Sequence, residues 1–424
     1  MAGRHYLGET VFDAALRRLE QSYRDGARVV VSNSGGKDSI VCTELAVIAA
    51  RKYGMLPVDV IHRDEEIIYP GTPEYLERLH ERGERTGEVR LFWANAHQPI
   101  INAFDRQCPY FWVFDPALDP DDWVRKPPPY AVEIPEINIQ RLTTAARFPP
   151  WREGGQVHGV VGLRGDESAP RMMGIHSAGG YFTGIDAGGV YGSRPIYDWT
   201  EGDVWKAIHD FGWDYNSAYD VMLRAGVGRR GLRIAPPTMN PGGADMLRVA
   251  AQAWPKWWDR VCRRVPSVRT FAQYGKRAIQ AERRVGETWR ETFLRECIDR
   301  APQWIADRAE LVMEKTLSGH ARHSTTPLPE TSRGRCSSCG LMGAWQVMTD
   351  ALYLGDPFST KASMLPYVDP EVFRPGAGYW SGRKGVLQGS EWTRKGEVKR
   401  YEPGTPKGPS SRREEGAGAG AAAR

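Results

Sequence analysis

Apolar positions recur with two periods along the first 240 residues. Val11, Ala14, Ala15, Leu16 and Leu19 fall at three- and four-residue steps and predict a helix over residues 11–23. The β-branched run Val29-Val30-Val31 predicts a buried strand, and Ile40 to Ala50 reads as the helix after it. Val58-Asp59-Val60-Ile61-His62 predicts a second strand. Pro70-Gly71-Thr72-Pro73-Glu74 then reads as a turn, with Thr72 as N-cap and Pro73 opening a helix over 73–83. Val89 to Ala94 and Val157 to Leu163 supply a third and a fourth strand. Strands alternating with helices call for an α/β fold: a Rossmann-like parallel sheet with right-handed crossovers and flanking helices.

The alternation breaks twice. Residues 98–151 are irregular and rich in Pro and aromatics, as in Cys108-Pro109-Tyr110-Phe111-Trp112, and read equally as a binding lid or as a loop covering an apolar edge. After residue 240 the pattern becomes mainly helical. Leu247, Ala250, Trp254, Trp257, Val261 and Val265 predict one amphipathic helix from Ala244 to Val265 in spite of Pro255. Arg248, Lys256, Arg260, Arg263 and Arg264 line its other side. A basic, tryptophan-bearing helix suits nucleic acid, but core on one face and solvent on the other is the favoured reading. Cys262 and Cys297 adjoin apolar stripes and read as packed thiols. The expected layout is a nucleotide-binding α/β domain over 1–240, a helical extension over 241–318, a small Cys/His module over 319–386 and a disordered Gly/Pro/Ser tail over 387–424.

A chain of 424 residues with 41% hydrophobic content holds a large core plus appended modules. No apolar run approaches the ~18 residues of a membrane span, and Met1 to Thr10 carries no apolar signal segment. The expectation is a soluble, cytoplasmic protein without a membrane partner. Six cysteines are too few for a disulfide scaffold, and a net charge of +5 tolerates anionic substrates without specifying nucleic acid.

The first chemical signal lies between Val31 and Ile40. Ser32-Asn33-Ser34-Gly35-Gly36-Lys37-Asp38-Ser39 joins a buried strand to a helix. Gly35 and Gly36 let an anion approach the backbone, the helix start offers unpaired N–H groups, and Ser34, Lys37 and Ser39 add donors and a positive charge. Neither Gly-x-x-x-x-Gly-Lys-[Ser/Thr] nor Gly-x-Gly-x-x-Gly is present. Arg63-Asp64-Glu65-Glu66 closes the second strand, where open α/β sheets bind ligands. Asp64 or Glu65 there faces a ribose, a metal ion or an amine, or else opens a solvated loop. Arg164-Gly165-Asp166-Glu167-Ser168-Ala169-Pro170-Arg171 follows the fourth strand, and its arginines suit phosphate unless they pair locally with Asp166 and Glu167. In Pro195-Ile196-Tyr197-Asp198-Trp199-Thr200-Glu201-Gly202-Asp203-Val204-Trp205, Thr200 reads as an N-cap with Asp203 as its N3 acid. The basic loop Gly226 to Arg233 closes over phosphates or is a solvated turn.

The Ser-Gly-Gly-Lys-Asp-Ser loop resembles the pyrophosphate (PP) loop of the adenine-nucleotide α-hydrolase group. Gly162-Leu163-Arg164 through Arg171, the Pro195 to Trp205 segment and Tyr215-Asn216-Ser217-Ala218-Tyr219 are similar to segments of its phosphoadenylylsulfate (PAPS) reductase-like branch, with Ser217 where many relatives carry proline. The resemblance covers roughly residues 25–235 and is nearest to bacterial and phage forms with an aromatic insertion and a C-terminal extension. It implies an enzyme holding ATP or PAPS with Mg2+, through Ser34, Gly35, Gly36, Lys37, Asp38, Ser39, Asp64, Arg164, Asp166, Glu167 and Arg171. Lys37 with Asp38 favours ATP, because PAPS reductases lack that pair, having no triphosphate to hold.

In the C-terminal half, His320-x-x-His323 precedes Cys336-x-x-Cys339 with the spacing of a tetrahedral zinc site, against which accidental spacing of the histidines stands. Cys339-Gly340-Leu341 also resembles the surroundings of the catalytic cysteine of PAPS reductases, although Ser338 and Met342 replace its Glu and His. The cysteine pair alternatively joins an iron–sulfur cluster, as in some sulfur-modification relatives. Three functions follow. In the first, Lys37, Asp38, Arg164 and Arg171 serve adenylation with pyrophosphate release and sulfur transfer to a nucleic-acid or small-molecule acceptor, supplied by a sulfur donor protein. The second is PAPS reduction by the Cys339 thiolate, and the third is a non-catalytic nucleotide-binding regulator.

Overall fold

The computed structural model describes residues 8–95, 97–107, 109–133, 155–185, 190–228, 231–234, 244–275, 280–331, 336, 344–355, 373, 391–394 and 397–400. The chain forms two compact units, residues 1–280 and 281–424.

In the first unit, α1 (Val11–Arg24) leads into β1 (Arg28–Ser32), α2 (Lys37–Tyr53), β2 (Val58–Arg63), α3 (Thr72–Thr86) and β3 (Val89–Asn95). The short strands β4 (Pro99–Ile101), β5 (Tyr110–Trp112) and β6 (Val132–Glu133) mark the irregular insertion. Next come β7 (Val157–Val161), α4 (Ala169–Ser177), β8 (Phe182–Ile185), β9 (Val190–Ser193) and α5 (Glu201–Asp210). Seven strands form one sheet in the order β6-β3-β2-β1-β7-β9-β8. All neighbours run parallel except β8, which pairs antiparallel with β9 at one edge. This is the expected α/β sheet with an antiparallel margin.

Val29, Val30 and Val31 are at most 4% exposed, so β1 is covered on both faces, as its unbroken apolar run requires. Leu19, Val31, Ile40, Leu45, Val60, Trp93 and Val204 belong to the main core. α2 is buried on most of its circumference and stops at Gly54 in the left-handed region (φ +66°). Thr200 and Asp203 form the expected capping box of α5. Two local expectations change. Gly71 rather than Thr72 is the N-cap of α3, its amide donating to Glu74 Oε2 at 2.6 Å, and Thr72 is the first helical residue. The amphipathic stretch 244–265 is two helices, Ala244–Ala253 and Pro255–Arg264, because Pro255 cannot continue a helix and Trp254 between them is non-helical (φ −132°, ψ 67°).

The second unit builds its core from Phe293, Cys297, Ala309, Val312, Leu328, Trp345, Met348 and Leu352, carried chiefly by helices Trp289–Phe293, Gln303–Ala321 and Trp345–Leu352. Cys297 is fully buried, as expected of a packed thiol. In the tail, Glu391–Arg394 and Glu397–Arg400 pair antiparallel, and its other residues lie outside the described set. Among the described residues, no helix is long and apolar enough to cross a membrane.

Candidate functional site

The loop from Ser32 to Ser39 sits at the carboxyl ends of β1, β2 and β7 and is shaped by its own side chains. Asn33 Oδ1 accepts the Gly35 amide at 2.7 Å, while Asn33 Nδ2 donates to Thr43 Oγ1 at 3.0 Å. Ser39 Oγ accepts the Ser34 amide at 3.2 Å and lies 2.8 Å from the Gly36 carbonyl oxygen. Gly35 has φ +75°, and a Cβ there would stand 2.6 Å from Thr72 Cγ2, so glycine is required on both counts. Asn216 Nδ2 donates to the Gly35 carbonyl at 3.2 Å and to Thr72 Oγ1 at 2.8 Å. Gly36, the N-cap of α2, has no side chain to cap the first turn. The Lys37 amide donates to the Tyr219 hydroxyl at 3.0 Å instead.

A cavity of about 930 Å3 opens over this loop, large enough for a nucleotide. Its cations are Lys37, Arg63, Arg164, Arg171 and Arg233, and its anions are Asp38, Glu65, Asp166, Glu167 and Glu201. The Lys37 side chain is only 8% exposed; Nζ donates to the Leu232 carbonyl at 3.3 Å and lies 3.8 Å from Asp38 and 3.9 Å from Glu201. Burial pulls its pKa below the ordinary lysine value, with Asp38 and Glu201 opposing. The Arg164 side chain, 4% exposed, donates from Nε to Asp38 Oδ1 at 2.5 Å, and its Nη1 lies 3.6 Å from Asp166. Nη1 makes no hydrogen bond among the described residues. Arg171 pairs with Glu167, and Arg63 with Glu65. Local pairing of the Arg164 to Arg171 cluster is thus realised, and both arginines still line the cavity.

Ser34, Gly36, Lys37, Asp38, Ser39, Arg164, Asp166, Glu167 and Arg171 are brought together on this cavity, and Gly35 shapes its loop. Asp64 is not on it. That carboxylate is fully buried, accepts Trp93 Nε1–H at 2.6 Å and pairs with Arg125. Ile61, Arg63 and Glu65 line the cavity instead, and the two-residue alternation of a strand, carried past the end of β2, was the signal that separates them from His62 and Asp64. Glu201, Tyr219 and Arg233 also line the cavity without having been singled out as site residues. Each belongs to a segment with a recognisable sequence pattern, but only the folded chain shows which member faces the loop.

The His/Cys set is only partly assembled. His320 and Cys336 are buried, with His320 Nδ1 3.7 Å from Cys336 Sγ and Nε2 donating to the Thr326 carbonyl at 2.8 Å. His323 is exposed, and Cys339 lies outside the described residues. Among the described residues, no three His, Cys, Asp or Glu side chains gather as a metal site.

No family model matches the chain. Over 279 residues, 62% of this chain and 67% of the relative, it is 26% identical to the uncharacterized protein YbdN of Escherichia coli strain K12. Similar solved structures include the FMN adenylyltransferase of Candida glabrata in complex with FMN and an ATP analog, at 12% identity over 51% of this chain and 64% of that chain, with a TM-score of 0.31. Another is the PAPS reductase of Candida auris in a phosphate complex, at 10% identity over 49% of this chain and 84% of that one, with a TM-score of 0.30. The chain therefore spans less than two thirds of the adenylyltransferase. Likenesses this distant leave the functional reading to the residues of the cavity.

Proposed function

We propose that the chain is a PP-loop enzyme of the PAPS reductase-like kind that binds ATP and transfers its adenylyl group to an acceptor, releasing pyrophosphate, in the service of sulfur transfer. One observation carries the reading: a lysine buried at the first turn of a helix, Lys37, shares a cavity with Arg164, just past the end of β7, and with Arg171 in the first turn of α4. Such a set has little use for a neutral ligand and suits a polyphosphate. Lys37 and the loop amides take the β- and γ-phosphates, and Arg164 and Arg171 take the α-phosphate. The acceptor's nucleophile bonds to the α-phosphorus, the bond to the bridging oxygen breaks, and pyrophosphate leaves with that electron pair. The cations stabilise the charge that develops on it.

Asp38 neutralises Arg164 in the structure, so a bound nucleotide would exchange that pair, Arg164 turning to phosphate and Asp38 being released. Asp38 and Asp166, which both approach Arg164, are hard oxygen donors of the type Mg2+ takes beside phosphate oxygens, and they are the residues that would hold it. Bound there, the ion would offset triphosphate charge.

Calorimetric titration of the full-length protein with ATP, a nonhydrolysable analogue and PAPS tests the reading, together with an assay of pyrophosphate release. ATP is expected to bind more tightly than PAPS. Lys37→Ala is expected to weaken ATP by about tenfold or more, the worth of one charge-assisted hydrogen bond. Tighter binding of PAPS, indifferent to Lys37→Ala, would sink the proposal.

A further inference from the structure

Three of the loop's amides are already committed inside the protein. Asn33 Oδ1 accepts the Gly35 N–H, Ser39 Oγ that of Ser34, and the Tyr219 hydroxyl that of Lys37 at 3.0 Å. The first two shape the loop from within, but Tyr219 comes from the helix Ala218–Arg224, 182 residues further along the chain. The unpaired N–H groups of a helix's first turn are where an anion is ordinarily held. At Lys37 the oxygen received there belongs to a side chain.

That hydroxyl is fixed from several sides. Asn216, three residues earlier, ties the same segment to the Gly35 carbonyl and to Thr72 Oγ1. The tyrosine ring stands edge-on to Trp205 of α5 with centroids 5.2 Å apart, and Lys37 Nζ lies 5.5 Å from its centre. Tyr219 is 3% exposed, yet it lines the loop cavity. Burial raises its pKa well above the ordinary tyrosine value, with the Lys37 amide opposing, so the oxygen keeps its hydrogen at neutral pH.

The hydrogen is unused. The oxygen accepts the Lys37 N–H, and among the described residues no acceptor meets the O–H. The carboxylates of Asp38 and Glu201, on the same cavity, approach Lys37 Nζ at 3.8 and 3.9 Å. A hydroxyl that accepts from a backbone amide is polarised by it and becomes the stronger donor. Such a group is complementary to an anionic oxygen brought by a ligand.

We propose that the Tyr219 hydroxyl is a phosphate-binding group: it receives the Lys37 N–H and donates its own hydrogen to an oxygen of the β- or γ-phosphate, extending the helix terminus to the ligand. Tyr219 keeps its proton throughout and makes no bond to phosphorus. The contact rests on the nucleotide reading above, and it lets the site tell ATP from AMP.

Tyr219→Phe removes one oxygen and leaves the ring against Trp205 and Lys37, so its circular dichroism spectrum should match that of the parent. Calorimetry on the full-length protein compares ATP, inorganic triphosphate and AMP. The variant is expected to weaken ATP and inorganic triphosphate by about tenfold or more, as for loss of a hydrogen bond to a charged group, and to leave AMP within about twofold. An equal loss for AMP would show that the hydroxyl only holds the loop, and unchanged ATP affinity would show that it does not touch phosphate. Either result overturns the role of Tyr219 while the nucleotide reading stands. A parent that binds neither ATP nor inorganic triphosphate would overturn both. One measurement needs no variant: inorganic triphosphate has no chromophore, so a tyrosine ultraviolet difference band on its addition reports a tyrosine O–H gaining a charged acceptor. The band is expected, and its absence at saturation would overturn the proposal even if the substitution disturbs the fold.

Discussion

His62 shows how one side chain ties the loop to the sheet. Its Nδ1–H donates to the Asn33 carbonyl at 2.9 Å, its ring stands edge-on to Trp93 with centroids 5.3 Å apart, and Nε2 is buried without a hydrogen-bond partner. Burial pushes the imidazole down from 6.5 to about 4, with the Asp64 charge opposing. In the unfolded chain the same ring takes up a proton near 6.5, so between these values the unfolded state binds more protons than the folded one. Stability associated with His62 is therefore present above about pH 6.5 and is lost as pH falls towards 4, by an amount on the order of 3 kcal/mol. Urea unfolding from pH 7 to 4.5 should show this loss. His62→Asn keeps a donor for Asn33 but does not titrate, so its acid slope should be shallower; equal slopes would show that other groups govern the acid limb. The sequence already placed His62 at the end of a strand, and alternation alone would have turned it and Asp64 away from Ile61, Arg63 and Glu65. What no pattern disclosed is that Asp64 is taken up by Trp93 and Arg125, since the indole and guanidinium that reach it come from 29 and 61 residues further along the chain.

At the scale of elements, the site is an encounter of α2 with the end of β7. Gly162 follows β7 directly, and a Cβ on it would lie 2.7 Å from the Asp38 carbonyl carbon and 2.8 Å from the Ser39 nitrogen, both backbone atoms that cannot swing aside. The absence of a side chain there lets Arg164 reach Asp38 and face the cavity. Gly162→Ala should separate β7 from the first turn of α2. The expected result is a loss of about 1–3 kcal/mol in stability, as for overpacking of a tight interior, and at least a tenfold weakening of ATP in the titration described above. Unchanged ATP affinity would mean that the Arg164 cluster is not positioned by this contact. Elements whose signals are local were legible from the chain: the Thr200 capping box, the valine run of β1 and the two glycines of the loop. The break at Trp254 was missed because six apolar residues kept helical spacing across it. Periodicity reports which side faces the core and survives a change of axis that the Pro255 ring imposes.

For the first unit as a whole, the decisive joint is Glu66, a residue the sequence showed only as the last of an acidic run. It is fully buried at φ +59°, in the left-handed region that non-glycine residues seldom occupy. Its Oε2 accepts the Phe114 amide at 2.6 Å and its Oε1 the Val124 amide at 2.9 Å, while Arg264 Nε lies 3.1 Å from Oε1. One carboxylate thus gathers the end of β2, the aromatic insertion and the helix Pro255–Arg264. Arg264 Nη2 also donates to the Trp112 carbonyl, closing the joint from the other side. The strand–helix alternation ends near residue 240, yet the compact unit runs to residue 280. Arg264 on Glu66 and Trp257 on the Ile68 carbonyl bind the later helices to the sheet's upper edge, and contacts between residues about 190 apart leave no mark in local spacing. Burial raises the carboxyl pKa of Glu66 and Arg264 opposes it, so the group is held in an apolar setting by donors placed around it. Glu66→Gln brings two N–H hydrogens among three donors and leaves Arg264 buried without its counter-charge. The expected cost is about 3 kcal/mol or more by urea unfolding, as for breaking a buried pair from one side. Proteolytic nicking between residues 98 and 133 should accelerate in the same variant, because the insertion loses two of its anchoring amide contacts. A cost below about 1 kcal/mol with unchanged nicking would show that the insertion and the later helices hold each other without the carboxylate.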